Sequence, residues 1–260
     1  MTDNIPGIIK RHITGKEYTV DETGCLSGTV YLFDDMVLKT ESYTDKTEST
    51  VEIMRWLGGK LPVPEVIEYE IQDDMSYLLM SRIKGTMSCD KHYLEHPDTL
   101  FSVLAKGLEM LWSVDISDCP RVRDPGTELS EARERVEKGL VDMDNWEPGT
   151  KEQFRGPSGL LDWLENNKPA YEPVLSHGDF CLPNILIENN DISGFIDLGD
   201  CGIGDRWRDL SLCWRSLRHN SDGTFGNIYP GIKPDMLFEK LGIEPNHEKL
   251  RYYILLDELF

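Results

Sequence analysis

Two short stretches of this chain set oxygen and amide side chains at spacings suited to chemistry on phosphate. The first is Ser176-His177-Gly178-Asp179-Phe180-Cys181-Leu182-Pro183-Asn184. The second, Asp197-Leu198-Gly199, comes thirteen residues after Asn184 and follows the apolar run Gly194-Phe195-Ile196. Phosphoryl transfer from ATP asks little covalent chemistry of a protein and much alignment and charge control. One carboxylate must accept a hydrogen bond from the attacking hydroxyl and aim it, a role that falls to Asp179. A second carboxylate and an amide oxygen must hold Mg2+, which prefers hard oxygen ligands, and Asp197 and Asn184 supply them. Taken singly, an Asp or Asn in a loop most often makes a turn. Here H-G-D-x-x-x-x-N is followed by a strand and D-x-G, and it is the set that points to chemistry.

A phosphate-handling site also needs a cation. Lys39 closes the apolar run Val37-Leu38 and is the candidate. Upstream, Gly24-Cys25-Leu26-Ser27-Gly28-Thr29-Val30 reads as a turn between strands whose backbone amides could cover phosphates, although a plain hairpin accounts for two glycines equally well.

The elements that must position these residues follow from periodicity and breakers. Strands are expected over 18–20, 29–33, 36–39, 64–70 and 76–82, with a turn at Asp73-Asp74. A helix is expected from about Thr44 to Leu57. Beyond it, Leu100, Phe101, Leu104, Leu108, Leu111 and Trp112 recur at helical spacing. Further helices are expected over 129–140, 159–166, 205–217 and 245–259, and short strands over 174–176, 185–187 and 194–196. Trp207, Trp214 and the nearby leucines and cysteines read as core. A β-rich first part and a mainly helical remainder imply an α+β fold of two lobes, 1–82 and 83–260, with the junction near Ser81 to Thr86.

The bulk properties bound the function. The 260 residues are 39% hydrophobic, enough for a packed core, and carry a net charge of −20 with a sequence pI of about 4.6. An acidic surface repels phosphate backbones, which excludes a nucleic-acid binder, and attracts cationic ligands. The six cysteines are scattered without a C-x-x-C pair, as expected of reduced thiols. No signal-like run opens the chain, and no stretch approaches the ~20 apolar residues of a membrane span. A cytoplasmic protein with no membrane partner is the expectation.

Several segments resemble one family nearly end to end: Leu61-Pro62-Val63-Pro64, Leu79-Met80-Ser81, Asn145-Trp146-Glu147, the His-Gly-Asp loop, Gly194 to Gly199, and Tyr252 to Phe260. The chain resembles the aminoglycoside 3'-phosphotransferases, which share the protein-kinase fold. That resemblance implies a two-lobed kinase-like α+β fold, ATP and Mg2+ as cofactors, and a cationic aminoglycoside as the acceptor. The first lobe would bind the nucleoside triphosphate and the second would carry catalysis and substrate. By the same resemblance Asp179 is the catalytic aspartate, Asn184 and Asp197 are metal ligands, and Lys39 is the phosphate-binding lysine. Ser27 covers the phosphates, and Ser81 and Ile83 form the hinge that meets the adenine edge. Asp257, Glu258 and the carboxylate of Phe260 form an acidic wall for substrate amines, with Asp144 and Glu147 closing the other side. The expected activity is transfer of the γ-phosphoryl group to a 3'-hydroxyl, giving antibiotic resistance.

Four positions depart from the family pattern. Thr50 stands where a helix glutamate would pair with Lys39, and Val37 where an aromatic ring would stack on adenine. Asp200 replaces an expected Arg, and His219 replaces an expected acid. Two alternatives therefore stay open: a kinase of an amino alcohol, sugar or macrolide, and a catalytically weak aminoglycoside-binding protein.

Overall fold

In a computed structural model, residues 5–21, 28–147 and 149–260 are described. Contacts divide the chain into two compact units, Met1–Thr86 with Leu186–Gly199, and Met87–Ile185 with Asp200–Phe260.

The first unit opens with helix α1 (Gly7–Ile13), followed by β1 (Thr19–Asp21), β2 (Gly28–Leu32) and β3 (Met36–Ser42). Helix α2 (Asp45–Leu57), β4 (Val66–Gln72) and β5 (Met75–Ser81) come next. The strands form one antiparallel sheet in the order β1-β2-β3-β5-β4. Period-two burial explains β3: Met36, Leu38 and Thr40 are buried, while Val37, Lys39 and Glu41 on the other face are only half-buried. Leu38 and Leu79 are fully buried in a cluster with Phe33, Met36 and Tyr77, roofed by Ile5, Ile9 and Ile13. Burying each such leucine contributes roughly 1.5–3 kcal/mol. The α1 helix was not foreseen; at seven residues it shows little periodicity, and its isoleucines read equally as strand.

Helix α2 starts at a capping box in which Thr44 and Thr47 satisfy each other's backbone, and it buries Val51, Ile53, Met54 and Leu57. The β4–β5 turn falls at Asp73 and Asp74, with φ of 53° and 59°. Successive left-handed residues match the two-residue hairpin turn that suits strand twist. A two-residue strand, β6 (Thr86–Met87), follows.

The second unit contains α3 (Lys91–Leu94), α4 (Pro97–Trp112), α5 (Pro125–Glu137), α6 (Thr150–Gln153), α7 (Pro157–Asn166) and β7 (Pro173–Ser176). The chain then returns to the first unit through β8 (Ile185–Glu188) and β9 (Asp191–Phe195), paired about a turn at Asn189 and Asn190, both with positive φ. The second unit resumes with β10 (Gly202–Asp205), α8 (Arg206–His219), α9 (Met236–Leu241) and α10 (His247–Asp257). In α4, Leu100, Phe101, Leu104, Leu108 and Leu111 are buried, as their spacing requires.

Some expected elements shift. The helix expected over 129–140 runs four residues earlier, because Asp124 caps it by accepting from Thr127 N and Pro125 opens it. Gly139, at φ 65°, lies beyond its end. Asp205 and Asn246 are caps of α8 and α10 and not their first residues. Strand β10 was not foreseen, since two glycines in Gly-Ile-Gly-Asp suppress the pattern. It pairs antiparallel with β7. Trp207 is buried, but Trp214 is half-buried, its indole N–H donating to Asp235.

Candidate active site

The His-Gly-Asp loop is held at both ends by buried polar contacts within the second unit. Asp209, inside α8 and fully buried, accepts from Ser176 Oγ at 3.0 Å, His177 N at 2.9 Å and Gly178 N at 2.9 Å. Burial pushes its carboxyl up from the usual range, and the neighbouring His177 and these donors pull the other way. Gly178 has φ 82°, and a Cβ there would sit 2.2 Å from the Asp200 carbonyl oxygen, so only glycine fits. At the far end Leu182 N donates to Ser216 Oγ at 3.0 Å, and Ser88 Oγ donates to the Leu182 carbonyl at 2.8 Å.

Between those anchors stands half-buried Asp179. Its backbone N–H donates to His177 Nδ1 at 3.3 Å, and Asn184 Nδ2 donates to Asp179 Oδ2 at 2.8 Å and to its carbonyl at 3.0 Å. The amide of Asn184 is thereby oriented, with Nδ2 committed to the aspartate. Its Oδ1 remains an acceptor-only oxygen, the atom type a magnesium ion would use.

Arg208 ties this loop to the chain's last helix. Its buried guanidinium donates to the Gly178 carbonyl at 3.2 Å and to Asp257 Oδ1 at 2.8 Å, and pairs with Glu128 Oε1 at 3.2 Å. With the Tyr253 carbonyl at 3.4 Å, four oxygen partners compensate a charge that would otherwise be costly to bury.

The first unit contains Lys39, Ser81, Ile83 and Asp197. Lys39 Nζ lies 3.4 Å from Glu41 Oε1, two residues along the same strand face. Helix α2 supplies Thr50, whose hydroxyl donates to the Lys46 carbonyl, while Glu48 accepts from Tyr43 and Glu52 is exposed. Ser81 Oγ accepts from Glu65 N, and Ser81 N donates to the Glu65 carbonyl. Ile83 follows β5 and packs against Gly194, where a Cβ would come 2.6 Å from Ile83 Cγ2. Asp197 is exposed and holds a left-handed φ of 58°, uncommon for a residue with a side chain. Such strain clusters at functional sites. Its exposed carboxylate is a hard oxygen donor of the kind magnesium takes, as is the amide oxygen of Asn184 in the second unit. Among the described residues no three His, Cys, Asp or Glu side chains gather as a metal cage. Magnesium carried on phosphates needs none. Ser27 lies outside the described residues.

The second unit also has a cavity of about 690 Å³, lined by Glu147, Arg215, His219, Asp257, Glu258 and Phe260 among others, with Cys181 and Pro183 of the Asp179 loop in its wall. Asp257 accepts from Arg208 and Arg215, and these two guanidiniums hold its carboxyl below the usual range against the pull of burial. Glu258 Oε1 accepts from Glu147 N at 2.7 Å, whereas its buried Oε2 has no hydrogen-bond partner among the described residues. Burial, reinforced by the charge of Glu147, pushes Glu258 up to about 7. Asp144 points elsewhere: its side chain is 95% exposed and pairs with Lys151 at 3.2 Å. It is Asp142 that lines the cavity.

Residues 24–231 match the model of the phosphotransferase enzyme family, a span that includes Lys39, Asp179, Asn184 and Asp197. The chain belongs to that family. An aminoglycoside 3'-phosphotransferase from Enterococcus faecalis is 39% identical over 84% of this chain and 80% of its own length. One from Campylobacter jejuni is 36% identical over 87% and 85%. Among solved structures, an aminoglycoside-3'-phosphotransferase of type VIII superposes with a TM-score of 0.80 at 26% identity, over 97% of both chains. The phosphotransferase fold is thus the kinase-like one, with an antiparallel sheet in one unit and helices dominating the other.

Three residues that organise this phosphotransferase site escaped the sequence reading. Asp209 and Arg208 sit in Arg-Trp-Arg-Asp-Leu, where a charged pair amid apolar neighbours at a helix start resembles an ordinary solvated turn. Trp207, Leu210, Leu212, Cys213 and Leu217 cover so much of this helix that the charges between them had to be partly buried, and that was the available signal. Ser216 gave none, being one small polar residue in a helix. Among the described residues no helix is long and apolar enough to cross a membrane.

Proposed function

We propose that this phosphotransferase moves the γ-phosphoryl group of ATP to the 3'-hydroxyl of an aminoglycoside and so confers resistance. The observation that most supports this reading is the wall shared by chemistry and substrate pocket. Cys181 and Pro183, from the loop that carries Asp179 and Asn184, line the same cavity as the acidic residues Glu147, Asp257 and Glu258. An ammonium-bearing substrate fixed on that acidic side would present a hydroxyl to Asp179.

In the proposed roles, Asp179 accepts the proton of the substrate hydroxyl as its oxygen bonds to the γ-phosphorus and the bond to the β-phosphate oxygen breaks. Asn184 fixes the rotamer of Asp179 through its Nδ2 hydrogen bond. Asn184 Oδ1 and the Asp197 carboxylate would hold magnesium, which when bound would supply neutralisation of phosphate charge. Lys39 contacts the nucleotide phosphates, with Ser27 in the covering loop, and Ser81 and Ile83 provide the adenine-binding hinge. Residues 1–82 are the nucleotide-binding lobe and 83–260 the catalytic and substrate lobe. Asp257 and Glu258 with Phe260 form the substrate wall, and Glu147 and the exposed Asp144 border it.

Coupled assay of ADP release tests the reading. Kanamycin should stimulate release, while a 3'-deoxy aminoglycoside, choline and a macrolide should not. Stimulation by choline or the macrolide alone would assign the chain a different acceptor, and binding of kanamycin without ADP release would make it an idle binder.

A further inference from the structure

The cavity's acidic wall is partly closed to substrate by the protein's own cations. Glu147 lines the cavity, yet both of its carboxylate oxygens are occupied. Oε2 pairs with Arg218 Nη2, and Oε1 lies 2.8 Å from His219 Nε2. An anionic oxygen at that distance needs a hydrogen between, so Nε2 carries it and donates to Oε1. The contact of 2.9 Å between Arg218 Nη2 and the same Nε2 is then packing beside that bond. Burial raises the Glu147 carboxyl, but the His219 hydrogen bond and the Arg218 charge outweigh it and hold the group below its usual range. The His219 ring is fixed from the other side by Phe225, edge to face at 5.8 Å, and Phe225 also lines the cavity. The Glu147 side chain is only 14% exposed and that of His219 only 23%, so the pair forms wall and not rim.

Resting on the aminoglycoside reading above, we propose that His219 is a specificity-determining residue: it occupies Glu147 Oε1 and removes one anionic anchor from the pocket, so that this enzyme favours acceptors presenting a hydroxyl or uncharged group at that wall over those presenting an ammonium. An ammonium ion arriving there must share Oε1 with the imidazole N–H or displace it, and meets a carboxylate whose charge Arg218 already partly neutralises. A hydroxyl can instead accept or donate beside the pair without breaking it.

A mutant cycle separates this from a structural role. His219→Ala frees Oε1 while Arg218 still holds Oε2, so KM for the more amine-rich of a matched pair, neomycin against paromomycin, should fall about tenfold, the worth of one charge-assisted hydrogen bond. KM for the counterpart with a hydroxyl in place of one amine should move less, and kcat should hold for both, since His219 touches no reacting atom. Adding Glu147→Gln to His219→Ala should cancel the gain. An unchanged KM in His219→Ala, an equal change for both substrates, or a gain that survives Glu147→Gln would each overturn the proposal while leaving the aminoglycoside reading intact. Absence of ADP release from the unmodified enzyme with every aminoglycoside would instead sink that reading, and this one with it.

Discussion

Removing the Asp209 carboxylate should loosen the catalytic loop without touching any catalytic atom. Asp209→Ala removes the carboxylate to which the buried N–H groups of His177 and Gly178 both donate at 2.9 Å, leaving Gly178 N–H the Ser176 hydroxyl oxygen at 3.1 Å. Weakening the acceptance of a buried donor costs about 1–3 kcal/mol, so with the Ser176 oxygen retaining part of the Gly178 bond the loss should be roughly 1–3 kcal/mol. The Ser176 hydroxyl, the third donor, can rotate and adds little. Urea unfolding followed by far-ultraviolet circular dichroism would read the change as a lower midpoint at constant slope. Turnover should fall further than stability implies at saturating substrate, because Asp179 lies one residue beyond Gly178 and a displacement of about 1 Å can cost on the order of 100-fold. Asp209→Asn, which keeps the shape but turns one acceptor into a donor, should fall between the wild type and alanine. A midpoint shift worth less than ~0.5 kcal/mol, the size of an ordinary surface substitution, together with normal turnover, would refute the anchoring argument.

Two other substitutions probe the same unit. Gly178→Ala should abolish most turnover and lower Tm, because its Cβ would meet the Asp200 carbonyl at 2.2 Å on a backbone of φ 82°; Tm by calorimetry and ADP release would check both. Glu258→Gln should raise stability above neutral pH and have little effect near pH 4.5. The folded protein holds the Glu258 proton up to about 7 while the unfolded chain releases it near 4.5, so the wild type loses stability as pH rises through that window. With allowance for screening at a pocket open to water, the gain at pH 8 should be on the order of 1 kcal/mol, a Tm rise of roughly 2–4 °C. An equal Tm for the two proteins at pH 8 would contradict it.

How legible was this molecule in its residues? The strands of the first unit could be read because their runs are rich in β-branched and aromatic residues, and the β4–β5 turn because it uses Asp-Asp. The leucines of α4 announced that helix by spacing, and α2 was expected to start at about Thr44, which the structure makes its cap. The loop from Ser176 to Asn184 was readable for a different reason: its chemistry demands particular side chains in a fixed order. What stayed hidden depends on pairings distant in sequence. Asp209 reads as a helix-surface acid until strand β7 sets two amides against it. The partner of Lys39 was sought on α2, but the pleat of β3 puts Glu41 on its own face. Asp144 and Asp142 are interchangeable in sequence, and only the turn at 142–145, where Asp142 accepts from Asp144 N and Asn145 Nδ2, turns one toward the cavity and the other away.

The cavity also revises what the charge of −20 can mean for substrate capture. A count of acids along the chain predicts a wall of free carboxylates, yet most of that wall is internally compensated. Asp257 is shared by Arg208 and Arg215, Glu147 by Arg218 and His219, and the Phe260 backbone oxygen accepts from Arg135. These pairs fix geometry, because each carboxylate is held in one orientation before any ligand arrives. They supply little net attraction at close range. Glu258 differs: its Oε2 is buried and unbonded, so folding has already desolvated it. That desolvation is the cost that normally cancels the Coulomb gain of a buried ion pair. An ammonium meeting Glu258 favours release of its proton, pairs with the resulting carboxylate and satisfies the oxygen that folding left unbonded. The diffuse negative field steers cations toward the protein. Among the described acids of this wall, Glu258 and the exposed Asp142 have no cationic partner, so on the proposed reading position 258 should matter more to substrate retention than the neighbouring, better-paired Asp257.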